Sequence, residues 1–565
     1  MIQMSTPDPS FVARTRDDVR AAMRNAWRIL LTRGPSQFQF WVIALLIGIA
    51  AGFGALFFRK GIDWLQLSLY GSEDPRTLGT FAGGLEWYWI LLIPIVGGLL
   101  VGVILTRFTD DGRVRAVADV IAGAALNNGR VEKRAGIASA AASLITLGAG
   151  GSSGREGPVV HLAGIMSSWA ADRINASGLH GRDLLGCAVA AAVSASFNAP
   201  IAGALFALEV VLRHFAIHAF APIVIASVAG TVINRLEFGG LTEFVLPTAS
   251  VLEFYVELPA FLILGLVCGV VAAALMRSVF LAEDMGNAIC RRLHIPGWMR
   301  PGVAGAMLGG LAIWFPHIIG VGYETTSAAL TGELLLHEAV VFAMLKVLAV
   351  AITLGGRMGG GMFSPSLMLG ALTGLAFGLI ATPVFPDVSG SLSLYALAGM
   401  GAVAAAVLGA PISTTLIVFE LTGDWQTGLA VMVAVSTSTA LGTKLVTRSF
   451  FLTQLKRQGI HLAEGPQAYL LSMTAVAGLI RPAGDDSAPS EEACRAMIDQ
   501  GISVDIGSTL ETAMPLFEAH DVNYLPVIAQ GTGNAPAIYK GVIYHVDALK
   551  AFNLALASLS REEHG

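Results

Sequence analysis

Between Phe40 and about Val446 the chain is apolar almost without pause, yet glycines and prolines cut that run into pieces. Crossing about 30 Å of hydrocarbon takes roughly 20 residues. Stretches such as Ala135–Gly148, Leu184–Ser196, Ile201–Leu212 and Val303–Trp314 fall short of that, whereas Trp41–Phe58, Trp87–Leu105 and Leu392–Ala410 come close to it. Short interrupted helices in lipid place helix ends inside the membrane. Exposed backbone is tolerated there only where it lines a cavity or is buried in protein. The sequence therefore predicts an all-α polytopic membrane protein with broken helices.

Composition agrees. Charged residues make up 13% of the chain, against about 25% in soluble proteins. Glycine contributes 65 of 565 residues, which suits closely packed membrane helices. A net charge of −5 speaks against nucleic acid as a partner. Cys187, Cys268, Cys290 and Cys494 are scattered with no CxxC, so neither a disulfide framework nor a zinc site is suggested. The chain offers no HExxH, GxSxG or carboxylate cluster, and no enzyme chemistry or cofactor is expected.

The first segment, residues 1–38, holds Arg14, Arg16, Arg20, Arg24, Arg28 and Arg33 interrupted by Asp8, Asp17 and Asp18. It reads as a cytoplasmic amphipathic helix ahead of the first span, not as a cleavable signal. Residues 39–458 form the membrane domain. From 459 to 565 the composition turns polar. There Ser508–His520 reads as a helix, Asn523–Ala529 and Gly541–Tyr544 as strands, and Asp547–Leu554 as a helix, giving a small cytoplasmic α/β module.

An internal repeat organises the membrane domain. Leu147-Gly148 leads to Gly154-Arg155-Glu156-Gly157-Pro158, and Leu354-Gly355-Gly356 leads at the same interval to Gly360-Gly361-Met362-Phe363-Ser364-Pro365. Asn198-Ala199-Pro200-Ile201 ends in Glu209, and Gly409-Ala410-Pro411-Ile412 ends in Glu420, again at one spacing. Each half thus carries a glycine-rich loop opening a helix, then a proline-started helix with one acid. Free N–H groups and the positive end of the helix dipole bind anions without a full charge. Glu156, an acid inside the membrane, would occupy the anion's own position until protonation or an arriving anion displaced it.

These motifs together resemble the signatures of the CLC chloride channel and transporter family over roughly residues 40–458. The resemblance implies a homodimer of inverted-repeat helical subunits in lipid, each with its own pore for chloride or a similar monovalent anion. It makes Glu156 the gating glutamate. It assigns anion coordination to the backbone around Gly154, Arg155 and Gly157 and around Gly361, Met362 and Phe363. It also implies a multi-pass protein of the inner or plasma membrane with both termini cytoplasmic.

Three departures from the family pattern bear on mechanism. The family's early Gly-Ser-Gly-Ile-Pro motif corresponds here to Val114-Arg115-Ala116-Val117-Ala118-Asp119, with Arg115 at the serine position. Two readings stand. Arg115 faces the pore, where its guanidinium suits flat oxyanions such as bicarbonate or nitrate, or it pairs with Asp119 at the aqueous surface. The acid that many proton-coupled exchangers carry after the Glu209 position is Val210, which cannot relay protons. The pore tyrosine corresponds to Phe451, which has no O–H donor. A passive anion channel is therefore expected, with proton-coupled antiport as the alternative.

Lys346, at the repeat position of Ser139, either raises the pore's positive potential or snorkels to the surface. His161 reads as structural. His214 and His218, four apart, would share a helix face, but no third metal ligand lies near them in the sequence, so an interfacial role is expected and no metal. The tail from Ser503 to about Leu556 looks similar to a CBS domain. Its Asp547 stands where nucleotide-binding members hold a ribose. With one clear copy and Tyr544 in place of Ser or Thr, packing or dimerisation is expected and nucleotide binding is not.

Overall fold

The computed structural model describes residues 36–563 except 177, 216, 240–243, 245, 247–256, 385, 387–388, 390, 461, 463–470, 472–473, 484–488 and 530–537. The amphipathic helix expected within residues 1–38 thus lies almost wholly outside the described residues.

The first repeat runs through α1 (Gln37–Tyr70), α2 (Leu78–Gly83), α3 (Trp87–Phe108), α4 (Val117–Leu126), α5 (Lys133–Gly148), α6 (Glu156–Arg173), α7 (Gly178–Phe197), α8 (Pro200–Phe206) and α9 (Ile217–Phe238). The second runs through α10 (Leu258–Arg292), α11 (Arg300–Trp314), α12 (Tyr323–Thr331), α13 (Leu336–Gly355), α14 (Phe363–Val384), α15 (Leu392–Leu408), α16 (Pro411–Thr422) and α17 (Trp425–Leu445). α18 (Phe450–Arg457) closes the membrane domain. Setting α2 aside, the two halves match helix for helix. α1 and α10 have 34 and 35 residues, α4 and α12 have 10 and 9, and α9 and α17 have 22 and 21.

Seven helices among the described residues are long and apolar enough to cross a membrane. α4, α8, α15 and α16 are shorter apolar helices between them. α1 begins where its first turn is satisfied locally, Gln39 donating its amide to Ser36 Oγ and accepting the Ser36 amide at 2.9 Å. α8 runs on into a π-helical turn over Ala207–Leu212, where the sequence suggested one continuous apolar stretch.

Glycine sets how closely the helices approach. In the α3–α11 pair, a Cβ at Gly98 would stand 2.2 Å from the Pro301 carbonyl, and one at Gly305 would stand 2.1 Å from the Pro94 carbonyl. Such backbone contact is how membrane helices gain dispersion energy where lipid supplies no hydrophobic drive between them.

The module after the membrane domain holds a four-stranded sheet in the order β1-β4-β3-β2, with β1 (Arg481–Pro482), β2 (Val504–Asp505), β3 (Tyr524–Ala529) and β4 (Ile538–Tyr544). β4 pairs antiparallel with β1 and β3, and β2 pairs parallel with β3. α19 (Glu491–Asp499), α20 (Leu510–His520) and α21 (His545–Glu563) complete it. Its core is a separate cluster including Val476, Leu510, Phe517, Leu525, Val527 and Ile543. Both strands and both helices read from the sequence are present, and β1, β2 and α19 are additions to that reading.

Candidate functional site

The two glycine-rich loops meet. Gly154 donates its amide to the Gly361 carbonyl and Gly361 donates back to the Gly154 carbonyl, both at 2.7 Å. This antiparallel bridge joins the two repeats. Hydroxyls brace it: Ser153 Oγ donates to the Gly359 carbonyl at 3.0 Å, Thr146 Oγ1 accepts the Gly359 amide at 2.8 Å, and Thr353 Oγ1 accepts the Ser152 amide at 3.2 Å. Gly360 runs at φ +124°, and a Cβ there would lie 2.0 Å from Ser153 Oγ. Glycine is required at that position.

Glu156 is the first residue of α6 and is 3% exposed. Its Oε1 accepts the Ser364 hydroxyl at 2.5 Å. Gly154 is pressed between Glu156 and α14: a Cβ there would lie 2.5 Å from Glu156 Oε2 and 3.0 Å from the Ser364 nitrogen. The carboxylate therefore sits at the opening turn of α14, where backbone N–H groups are free and the dipole is positive. An acid from one repeat thus occupies the helix start of the other.

A cavity of about 80 Å³ adjoins this point. Val117, Gly157, Gly360, Gly361, Met362 and Phe451 are among its lining residues. Phe363 directs its ring into the core, 4.6 Å from the Phe197 ring and 5.7 Å from that of Phe206. Phe451 stands edge-on to Phe450, with ring centroids 6.0 Å apart. Gly154, Gly157, Gly361, Met362, Phe363 and Phe451 are thus gathered around Glu156.

Arg115 points elsewhere. Its guanidinium donates to Asp111 at 2.9 Å and to Glu132 at 2.9 Å, with Asp119 at 3.8 Å. Its backbone amide donates to Ser139 Oγ at 2.8 Å. Asp119 also caps α4 by accepting the Ala116 amide at 2.9 Å. Burial works against the Asp111 carboxylate, but hydrogen bonds from Arg113 and Arg115 outweigh it and bring its pKa down to about 2. The arginines that line the cavity are Arg113 and Arg357, which the sequence reading did not single out. No periodic signal marks them, because both lie in loops.

On the other side of Glu156, Arg155 donates to the Ser196 carbonyl at 3.1 Å and stands 5.6 Å from the Tyr323 ring centroid. Both residues line a second, narrow cavity of about 20 Å³, room for about one water. Beneath its floor Lys346 is fully buried and donates to the Gly320 and Val321 carbonyls at 3.1 and 3.3 Å. It does not snorkel: the loop before α12 binds its ammonium.

The repeat acids serve each other's helices. Glu209 accepts the Ile412 and Ser413 amides at 2.9 and 2.8 Å, at the start of α16. Glu420 accepts the Ile201 and Ala202 amides at 3.0 and 2.7 Å, at the start of α8. Val210 is buried in the π-turn beside Glu209. His214 and His218 do not share a helix face, since Arg213 turns the chain at φ +61° before α9. His214 Nδ1 lies 3.0 Å from the Leu212 carbonyl, and His218 lies 3.6 Å from Asp183. No metal-ligating cluster occurs among the described residues.

In the module, Arg481 holds Asp547 through Nε at 3.0 Å and Nη2 at 2.7 Å. The module also reaches the membrane domain. Glu511 pairs with Arg182 at 3.4 Å and Arg213 at 3.7 Å, and Thr512 Oγ1 donates to the Ala125 carbonyl at 3.0 Å. It therefore rests on the C-terminal end of α4, whose N-terminal end lines the cavity beside Glu156 at Val117.

Residues 97–443 match the family described as voltage gated chloride channel. The chain belongs to this family. It is 31% identical to a ClcB-like chloride channel protein of Ralstonia nicotianae, over 69% of this chain and 91% of that one. It is 28% identical to the H(+)/Cl(-) exchange transporter ClcA of Yersinia pseudotuberculosis, over 74% and 86%. A slow cyanobacterial Cl-/H+ antiporter shares the fold at TM-score 0.66 and 21% identity, over 75% of this chain and 98% of that one. A eukaryotic CLC transporter does so at TM-score 0.64 and 17% identity, over 90% and 97%. The chain is an integral membrane protein of the CLC fold, a family of anion channels and transporters rather than enzymes.

Proposed function

We propose that this protein is a passive channel for chloride or a similar monovalent anion, bicarbonate and nitrate included, with Glu156 as its gate. One observation carries the reading: the Glu156 carboxylate is buried at the start of α14, beside the Gly154–Gly361 bridge and the inner cavity. An anion binding there meets backbone amides of Gly157, Met362 and Phe363, the Gly361 amide being held by Gly154, and protonation of Glu156 vacates the position. Lys346 and Arg155 lend positive potential on one side, Arg113 and Arg357 on the other. Arg115, neutralised by Asp111, Glu132 and Asp119, acts on the ion from a distance.

Val210 favours uncoupled conduction, because a valine carries no proton. The relative named as an H(+)/Cl(-) exchanger keeps antiport as the competing reading. The layout that goes with the proposal has membrane residues 39–458, and a CBS-like module over 459–565 that packs rather than binds nucleotide. The working form is a homodimer in the cell membrane, both termini cytoplasmic.

The test is ion flux from liposomes. Wild type is expected to reverse at the anion equilibrium potential whatever the proton gradient, and uphill proton movement driven by chloride would establish antiport instead. Glu156→Gln is expected to give flux that no longer responds to pH. A variant with unchanged flux and unchanged pH dependence would refute the gate.

A further inference from the structure

A protonatable gate needs a proton supply, and the α5–α6 seam holds buried polar atoms that nothing yet described uses. His161 lies on α6 and is 1% exposed, and neither ring nitrogen has a hydrogen-bond partner. Ser143 Oγ on α5, fully buried, and Glu156 Oε2 are likewise unpartnered. Unsatisfied polar groups at such depth are rare in folded proteins, and water commonly serves them. Two in the α5–α6 seam, with a third beyond it at the start of α14, point to a shared purpose.

The ring lies flat on α5 at Gly136, where a Cβ would be 2.4 Å from Cε1 and 2.7 Å from Nδ1. Gly136 is three residues from Lys133, the start of α5. Five residues of α6, about 7.5 Å of rise, separate His161 from Glu156. Ser143 stands on α5 about 10 Å of rise beyond Gly136, against Gly359, whose Cβ would meet Ser143 Oγ at 2.6 Å. Gly359 accepts from Ser153, three residues from Glu156. At its other end the seam opens toward Arg115, the charged group whose field reaches the ring. Arg115 in turn is held by Asp111, Asp119 and Glu132, and Glu132 and Asp111 are exposed.

We infer that His161 is the proton carrier serving Glu156 from the Arg115 side of the protein. One ring nitrogen takes a proton from water arriving past Asp111 and Glu132. The other nitrogen releases its proton along the seam, through water, to the Ser143 hydroxyl. Ser143 passes its own proton, through water, to Glu156 Oε2. The carboxylate becomes a carboxylic acid, and the imidazole and hydroxyl return to their neutral forms. The His161–Ser143 gap, about 10 Å along α5, takes a chain of about three waters at ~2.8 Å spacing, and a positioned histidine is suited to such transfer.

The inference rests on Glu156 being the protonated gate, and the experiment separates the two. Anion flux is measured in oriented liposomes while pH is varied on one side at a time, for wild type, Glu156→Gln, His161→Gln and Ser143→Ala. Ser143→Ala removes only a hydroxyl and tests the route independently of any folding defect in His161→Gln. In both seam variants the response to pH on the Arg115 side is expected to fall to less than about a tenth of wild type, with the response to the opposite side intact. A purely structural role would not produce that sidedness. If both variants keep the wild-type response while Glu156→Gln has lost it, His161 is not the carrier and the gate reading stands. A wild type with no response on the Arg115 side overturns the inference as well. If Glu156→Gln keeps a full pH response, the gate reading fails first.

Discussion

At Gly360 the backbone runs at φ +124° with Ser153 Oγ where a side chain would begin. Backbone strain of that kind costs on the order of 1–3 kcal/mol for a non-glycine residue, before the clash is counted. Gly360→Ala is expected to lower thermal stability in detergent by at least that much and to abolish anion flux. Gly239→Ala, also at positive φ but with open space around it, is the control for strain alone. At this scale the sequence marked the right residues unevenly. Glu156 was legible because an acid among glycines inside apolar sequence has few other uses. Arg115 was legible only as two alternatives, because its partners Asp111 and Glu132 lie four residues before and seventeen after it and the chain must fold to unite them. Lys346 was undecided for the same reason: its acceptors are carbonyls, which no sequence displays.

Among the elements, the reciprocal capping of α8 and α16 was the least foreseeable. The repeat was plain from matched spacings, and so were the two acids. That each acid caps the other repeat's helix depends on the pseudo-twofold arrangement, which spacing along one chain does not encode. Losing an N-terminal cap costs about 0.5–2 kcal/mol. Glu209→Ala and Glu420→Ala are each expected to destabilise by that amount, Glu209→Ala the more, since each caps with two backbone amides and Glu209 also accepts the Ser413 hydroxyl. Equilibrium unfolding of the purified protein would show it. A large effect from one variant and none from the other would argue against equivalent roles. Glu209→Gln, able to accept from only one oxygen, should fall between wild type and Glu209→Ala.

For the whole molecule the decisive contact is between module and membrane domain. Two of the module's strands and two of its helices were readable from the sequence, but its docking was not, because Arg182 and Glu511 are more than three hundred residues apart. Burial raises the Glu511 carboxyl above its ordinary value, against the pull of Arg182 and Arg213. A carboxyl with a higher value docked than free takes up a proton on docking. Docking should therefore strengthen as pH falls from the docked value toward the ordinary one, and change little above both. Glu511→Ala leaves the buried Arg182 without its acid, a class of change that costs up to about 3–5 kcal/mol. It is expected to expose the Ala125–Arg130 segment to fast hydrogen exchange, whereas Glu511→Gln should keep much of the protection. Equal protection in wild type and Glu511→Ala would show that the ion pairs do not hold the module.

One feature reaches across all of these scales. Because Gly154 and Gly361 are hydrogen-bonded partners drawn from opposite halves, the proposed ion site belongs to neither half alone. A shift in either bundle must distort the other's loop or break the stitch.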